Sequence, residues 1–184
     1  MAFTNNTTYG TTVYSTGTFY DQSLILANDG SSLSSATLAT VSELAIPLGE
    51  YERVQGIYTL WYDTDTTNEL SYRVANLAQS DGSTAVATTI ATHSLASIAE
   101  ATAAGTPAAA NLECTSTYST DGAGETIGVD STVSDASALF LQVQFNALVT
   151  AGTLGKLSLQ LANITGSAAG THLLAGSNVV FKKW

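Results

Sequence analysis

Positive charge is almost missing from this sequence. Its 184 residues hold five Lys and Arg against fifteen Asp and Glu, a formal net charge of −10. Affinity for nucleic acid rests largely on cations that neutralise phosphates. A chain whose only cations are Arg53, Arg73, Lys156, Lys182 and Lys183 is therefore expected to bind no nucleic acid. An anionic membrane surface is repelled on the same ground, so no membrane partner is expected either. Charge of both signs is scarce, at 11% of residues where globular domains carry about a quarter. Thr, Ser, Asn, Ala and Gly take its place, the vocabulary of β-rich, extracellular or particle-bound proteins.

Cysteine occurs once, at Cys114, which excludes an intrachain disulfide and leaves the redox compartment open. In LECTSTY it reads as a small strand side chain rather than a nucleophile or ligand. Two Pro and 15 Gly rule out collagen-like or Pro-rich composition. No stretch reaches 18 consecutive apolar residues, the length of a spanning helix. The start, MAFTNNTTYG, lacks a cationic stretch and an apolar run, so no signal peptide is expected and synthesis is expected in a cytoplasm.

Catalytic signatures are also missing. There is no G-x-S-x-G, no P-loop, no G-x-G-x-x-G, and His93 and His172 sit in no ligand-spaced motif. One Cys and two His would need carboxylates to complete a zinc site. Asp63 to Asn68 clusters oxygen ligands, but lacks the glycine and glutamate of an EF-hand and reads as a turn. The acidic pairs Glu50/Glu52 and Asp63/Asp65 match the residue types of a glycosidase, but acidic turn residues explain them more simply. The expectation is no enzyme, no metal and no cofactor.

What is present is alternation. In ALFLQVQFNALVT, Leu139, Leu141, Val143, Phe145, Ala147 and Val149 share one face, and Phe140, Gln142, Gln144, Asn146 and Leu148 the other. KLSLQLAN repeats the pattern through Leu157, Leu159 and Leu161 after a turn at TAGTLG, and LLAGSNVVFKKW closes as a further strand. There Lys182 and Lys183 are expected to keep their charge in water at a fraying end. Trp184 is either a core plug or a subunit contact.

YERVQGIYTLWYD puts Val54, Tyr58, Leu60 and Tyr62 on one face and Ile57 and Trp61 on the other. With ELSYRVANL after the DTDTTN turn it predicts a hairpin. The outward aromatics fit a sugar platform or, better for so uncharged a chain, a subunit interface. SLASIAEATAAGTP offers a short helix capped by Ser94, in competition with strand signals in STAVATTIAT. TYSTDGAGETIGVDSTVSD reads as a long polar stretch with turns at Asp121-Gly122 and Gly124. Short strands punctuated by turns, with hardly any helical periodicity, predict an all-β, antiparallel β-sandwich or jelly roll. We divide the chain into residues 1–46, an N-terminal arm or edge strands, and residues 47–184, the jelly-roll β-sandwich domain. The first part has no basic residue, is about a third Ser and Thr, and spaces Phe3, Tyr9, Tyr14, Phe19 and Tyr20 along a polar ground.

Two segments, LGEYERVQGIYTLWYDTDTTNELSYRV and LFLQVQFNALVTAGTLGKLSLQLANITGSAAGTHLLAGSNVVFKKW, resemble the jelly-roll domains of tailed-bacteriophage structural proteins. Such domains recur in capsid decoration (cement) proteins, head fibres and parts of tail fibres, generally as trimers. The resemblance spans under half of the chain and rests on turn glycines and alternation. It implies a virion protein of the outer capsid surface whose partners are the major capsid protein and its own copies. It also implies that the N-terminal segment is a docking arm, so that Phe3, Tyr9, Tyr14, Phe19, Tyr20, Trp61 and Trp184 are the candidate capsid or subunit contacts. A head or tail fibre module that binds host glycans, and a minor neck or tail component, are the alternatives.

Overall fold

The computed structural model describes residues 6–8, 11–13, 22–30, 33, 36–64, 70–99, 110–119, 123–127, 136–150, 152–163 and 171–184. Among the described residues, fourteen strands and one short 3-10 helix (Ser42–Leu44) make up the regular structure. In chain order the strands are β1 (Asn6–Thr8), β2 (Thr11–Val13), β3 (Gln22–Ile25), β4 (Ala39–Thr40), β5 (Ile46–Leu48), β6 (Arg53–Thr64) and β7 (Leu70–Ala78). They continue as β8 (Thr88–Ala99), β9 (Ala110–Ser119), β10 (Ala123–Ile127), β11 (Ala136–Val149), β12 (Gly155–Asn163), β13 (Thr171–Leu173) and β14 (Asn178–Lys183).

All strand pairing among the described residues is antiparallel. β1 pairs with β2; the larger sheets run β3-β14-β6-β11-β8-β9, with β13 also on β6, and β10-β7-β12-β4, with β5 also on β12. β13 and β14 lie end to end along β6, as β4 and β5 do along β12. The chain therefore changes sheet at most of its connections. Inward side chains of both sheets form one core: Val54, Tyr58, Leu60 and Tyr62 from β6 and Leu141, Val143, Phe145 and Ala147 from β11 meet Tyr72, Val74, Leu157, Leu159 and Leu161. The period-two pattern read in residues 139–149 is thus the core face of β11 from Leu141 onward, with Gln144, Asn146 and Leu148 exposed opposite.

Several expectations are corrected. β6 and β7 form no hairpin: β6 pairs with β11, β13 and β14, whereas β7 pairs with β10 and β12. Each has a continuous apolar face, and the connection carries the chain across the core, so both faces are buried against the opposite sheet rather than side by side. TAGTLG likewise leads from one sheet to the other. Ser94 caps no helix, because β8 runs as strand to Ala99, held between β11 and β9. Two flanking ladders satisfy that backbone, and they outweigh the helical preference of an Ala-rich segment. Gly124 lies within β10, paired with Arg73. Residues Gln22–Ile25 are an edge strand on β14, with Leu24 and Leu26 in the core. The five aromatics Phe3, Tyr9, Tyr14, Phe19 and Tyr20 lie outside the described residues.

Near the start of β6 the sheet needs a missing side chain. A Cβ on Gly56 would come within 2.5 Å of the Val180 carbonyl oxygen, 2.6 Å of Phe145 Cζ and 2.8 Å of Phe181 Cβ. Phe145, opposite Gly56 in the ladder, fills that space and tilts against Tyr58 with ring centroids 5.1 Å apart. The Tyr58 hydroxyl reaches the carbonyl oxygens of Leu44 (3.4 Å) and Leu157 (3.5 Å), joining the two sheets through the core. Burial pushes both the Tyr58 and the Tyr62 phenols up, so they stay neutral donors. Overpacking of this kind costs about 1–3 kcal/mol. Gly56→Ala is expected to lower unfolding free energy by that amount in urea titrations; an unchanged midpoint would refute this packing.

The turn after β7 is held by one carboxylate. Asp81 accepts hydrogen bonds from the Ser83 amide (2.8 Å), the Thr84 amide (2.9 Å) and the Thr84 hydroxyl, beside Gly82 at φ +66. The Thr84 hydroxyl first, then the backbone donors, pull its pKa from 3.8 down to about 2. A depressed carboxylate stabilises the fold fully above its unfolded pKa and loses that contribution as protons bind. The Asp81 contribution should therefore be complete above about pH 4 and gone near pH 2. Asp81→Asn is expected to flatten that part of the stability–pH curve; identical curves would refute it.

Candidate functional site

The outer face of the longer sheet holds both tryptophans. Alternation along β6 buries Val54, Tyr58 and Tyr62 and turns Arg53, Ile57 and Trp61 outward. Trp61 is 42% exposed and lies beside Phe140 of β11, its ladder partner, with ring centroids 6.0 Å apart. Trp184 is 53% exposed and so is no core plug. Its backbone N–H and C=O exchange hydrogen bonds of 3.1 Å with Arg53, which sets it opposite Arg53 on the same face. Leu148, also exposed, faces Arg53 from the other side, giving a cross-strand row Leu148–Arg53–Trp184. Eight residue steps along β6 separate this row from Trp61, roughly 26 Å at strand rise. The structure therefore places the two tryptophans at opposite ends of one face rather than in one cluster.

Trp61 stands at an irregular point. Between β13 and β14 the ladder on β6 is interrupted at residues 174–177, where Gly176 takes φ +88. Ser177, fully buried, repairs the gap: its Oγ accepts the Trp61 N–H at 2.9 Å and donates toward the Leu174 carbonyl at 2.8 Å. The Leu174 N–H donates to the Trp61 carbonyl at 2.8 Å. Both backbone groups of Trp61 are thereby satisfied and its ring is held outward. Asp63, two residues on, accepts from the His172 N–H and faces His172 Nδ1, both at 3.0 Å. This pair fastens β13 to the end of β6, so His172 is an edge residue with a defined partner.

The opposite end gathers cations. Lys183 is not the solvated residue expected of a fraying tail. Its Nζ donates to the Pro47 carbonyl (2.9 Å) and pairs with Glu52 Oε1 at 3.1 Å, tying the last strand to β5 of the other sheet. Glu52 also accepts the Gly49 N–H at 2.6 Å, so it serves the turn as well as the ion pair. Lys182 is exposed on the outer face with Arg53, and Lys156 is exposed opposite Pro47 and Leu77. Among the described residues, Arg53, Lys156 and Lys182 have no ion-pair partner. Tyr51, at φ 55, and Leu154 add exposed apolar surface at this end. Neither was singled out from the sequence; the one available signal was the turn-like LGEYE.

Among the described residues no group of three or more His, Cys, Asp or Glu is arranged to hold a metal ion, and no helix is long and apolar enough to cross a membrane. Asp65 lies outside the described residues, and the backbone of Cys114 lies in β9 opposite Leu95. Buried without a partner among the described residues are the Tyr72 hydroxyl and Asn76 Oδ1; Asn76 Nδ2 donates to Thr88 Oγ1 at 2.8 Å.

No family model and no curated protein matches this chain. Among solved structures it is similar to a chain from the structure of infectious bursal disease virus, Gx strain, at 16% identity and a TM-score of 0.16. That match covers 88% of this chain and 39% of the other. At such a score the likeness carries no argument about fold or function.

Removing the Ser177 hydroxyl orphans a buried N–H, which costs about 1–3 kcal/mol. Ser177→Ala should destabilise the protein by that amount and increase quenching of Trp61 fluorescence by acrylamide. Stability and quenching equal to wild type would show that Ser177 does not hold this strand.

Proposed function

We propose that the chain is a jelly-roll structural protein of a bacteriophage virion. In this reading it is a trimeric decoration (cement) protein that binds the outer surface of the head and stabilises the shell. The observation that carries the reading is strand order. In a jelly roll, eight strands fold as two Greek keys into two four-stranded sheets, and the chain passes back and forth between them. Taking β3, β4 with β5, β6, β7, β10, β11, β12 and β13 with β14 as those eight gives sheet orders first–eighth–third–sixth and second–seventh–fourth–fifth. β8 and β9 are then an inserted pair that widens the first sheet beside β11. Jelly rolls recur in viral capsid proteins, and a sparsely charged surface with a broad exposed sheet face suits a protein whose work is contact.

The stabilising mechanism is mass action: a chain that binds only the assembled shell shifts the equilibrium toward it. One observation favours a second reading, a fibre module for host glycans: the exposed Trp61 beside Phe140 is the kind of platform on which a sugar ring stacks.

Adding the purified protein to expanded phage shells that lack it should give saturable binding and raise the temperature of shell disruption. Absence of binding would refute the decoration reading. Retention on immobilised host glycans, with shells as fragile as before, would establish the fibre reading in its place.

A further inference from the structure

Next to Trp61 the outer sheet face changes from aromatic to amide. Strand residues two apart share a face, so Thr59 stands beside Trp61 on β6, about 7 Å along the strand. Thr59 pairs with Asn178 of β14 on one side and with Gln142 of β11 on the other. These three form a cross-strand row beside Trp61 and Phe140, and each is half-buried. Asn178 Nδ2 donates to the Gly176 carbonyl at 3.1 Å, which fixes that amide at the turn and leaves its Oδ1 to accept. The Thr59 hydroxyl and the Gln142 amide have no side-chain hydrogen bond among the described residues. On the other side of Trp61 the face continues to Asp63, which is paired with His172. The cations described on this face, Arg53 and Lys182 (opposite Gln55), stand toward its far end.

We propose that Trp61, Phe140 and the row Asn178–Thr59–Gln142 form a binding site for a neutral glycan, with one pyranose ring stacked on Trp61 and the next over the row. The inference rests on the glycan reading of the Trp61 platform and specifies its ligand and polar contacts. It requires no particular place in the virion. A pyranose ring presents a face of C–H groups, which an aromatic ring covers, and a rim of hydroxyls. Amide and hydroxyl side chains each supply donors and acceptors, so the row can meet such hydroxyls in either sense. A protein surface laid over the same row must match those groups one by one, because burying them unpaired costs free energy. A few polar groups converging beside an aromatic wall are the usual make-up of a small-ligand site. Charge narrows the class of sugar. The row is uncharged, and the nearest charged side chain along β6 is the Asp63 carboxylate, which disfavours acidic sugars. Trp184 lacks this setting, since its cross-strand neighbours are Arg53 and Leu148.

The test applies the full chain to an array of bacterial surface polysaccharides, neutral ones beside uronic-acid-containing ones, at low and high salt. Retention on neutral polysaccharides, insensitive to salt, is expected. In the Trp184→Phe protein, where Trp61 is the sole tryptophan, the retained polysaccharide should shift the emission and reduce acrylamide quenching. Trp61→Ala should weaken binding by about tenfold or more, and Trp61→Phe, which keeps an aromatic face, should recover most of it. Thr59→Val and Gln142→Ala should each weaken binding severalfold with melting temperatures little changed, and Trp184→Ala should leave it as it was. Retention on no neutral polysaccharide, or only on acidic ones, overturns the proposal. So does binding that tolerates Thr59→Val and Gln142→Ala together, or that leaves Trp61 emission unmoved. Glycan retention that survives Trp61→Ala overturns this site and leaves the fibre reading standing. Virions carrying Trp61→Ala that adsorb to the host normally, while the purified variant has lost glycan retention, overturn the fibre reading and leave the site.

Discussion

The close approach of β14 and β11 to β6 at Gly56 is the constraint on which the rest of the structure depends. With hydrogen in place of a side chain, Phe145 and Phe181 pack over the backbone of β6 instead of being pushed off it. Phe145 then supports Tyr58, and Tyr58 spans the core to the carbonyls of Leu44 and Leu157. The same strand carries Trp61 outward on backbone groups completed by Ser177 and Leu174. A single strand therefore sets the spacing of the sheets on its inner face and the placement of the aromatics on its outer face.

Where the chain ends its ladders, polar groups take over. Lys183 reaches across to Pro47 and Glu52, Asp63 holds His172, and Asn76 joins Thr88 between the two sheets. In a protein with few charges these contacts are sparse and local. They fasten strand ends that hydrophobic burial alone leaves unspecified, because burial is non-directional. The consequence for function is an outer sheet face that carries exposed aromatics at its two ends.

Much of the strand content was legible in the sequence, and little of the pairing. Alternation in residues 141–149 is a local signal, since neighbouring side chains must point to opposite faces, and it marked the core face of β11. It also put Trp61 and Ile57 opposite Tyr58 and Tyr62. Partner choice is not local: β6 and β7 are adjacent in sequence and both amphipathic, and nothing in DTDTTN says whether the chain turns within a sheet or crosses to another. The Ala-rich run after Ser94 misled for a related reason, because its strand state is fixed by ladders with residues 110–119 and 141–149. Trp184 was undecided because its exposure depends on where β14 ends against Arg53. Lys183 found a buried-side partner 131 residues away, which spacing along the chain cannot reveal.

In the proposed reading the chain is a contact protein of a shell, made for many equivalent positions rather than for one. Its most direct test is the stoichiometry of this chain to the major shell protein in purified particles, by quantitative mass spectrometry with labelled standards. The account predicts a fixed ratio equal to three chains for each equivalent threefold position of the shell. A copy number matching a single neck or tail ring, or absence from intact particles, would contradict it.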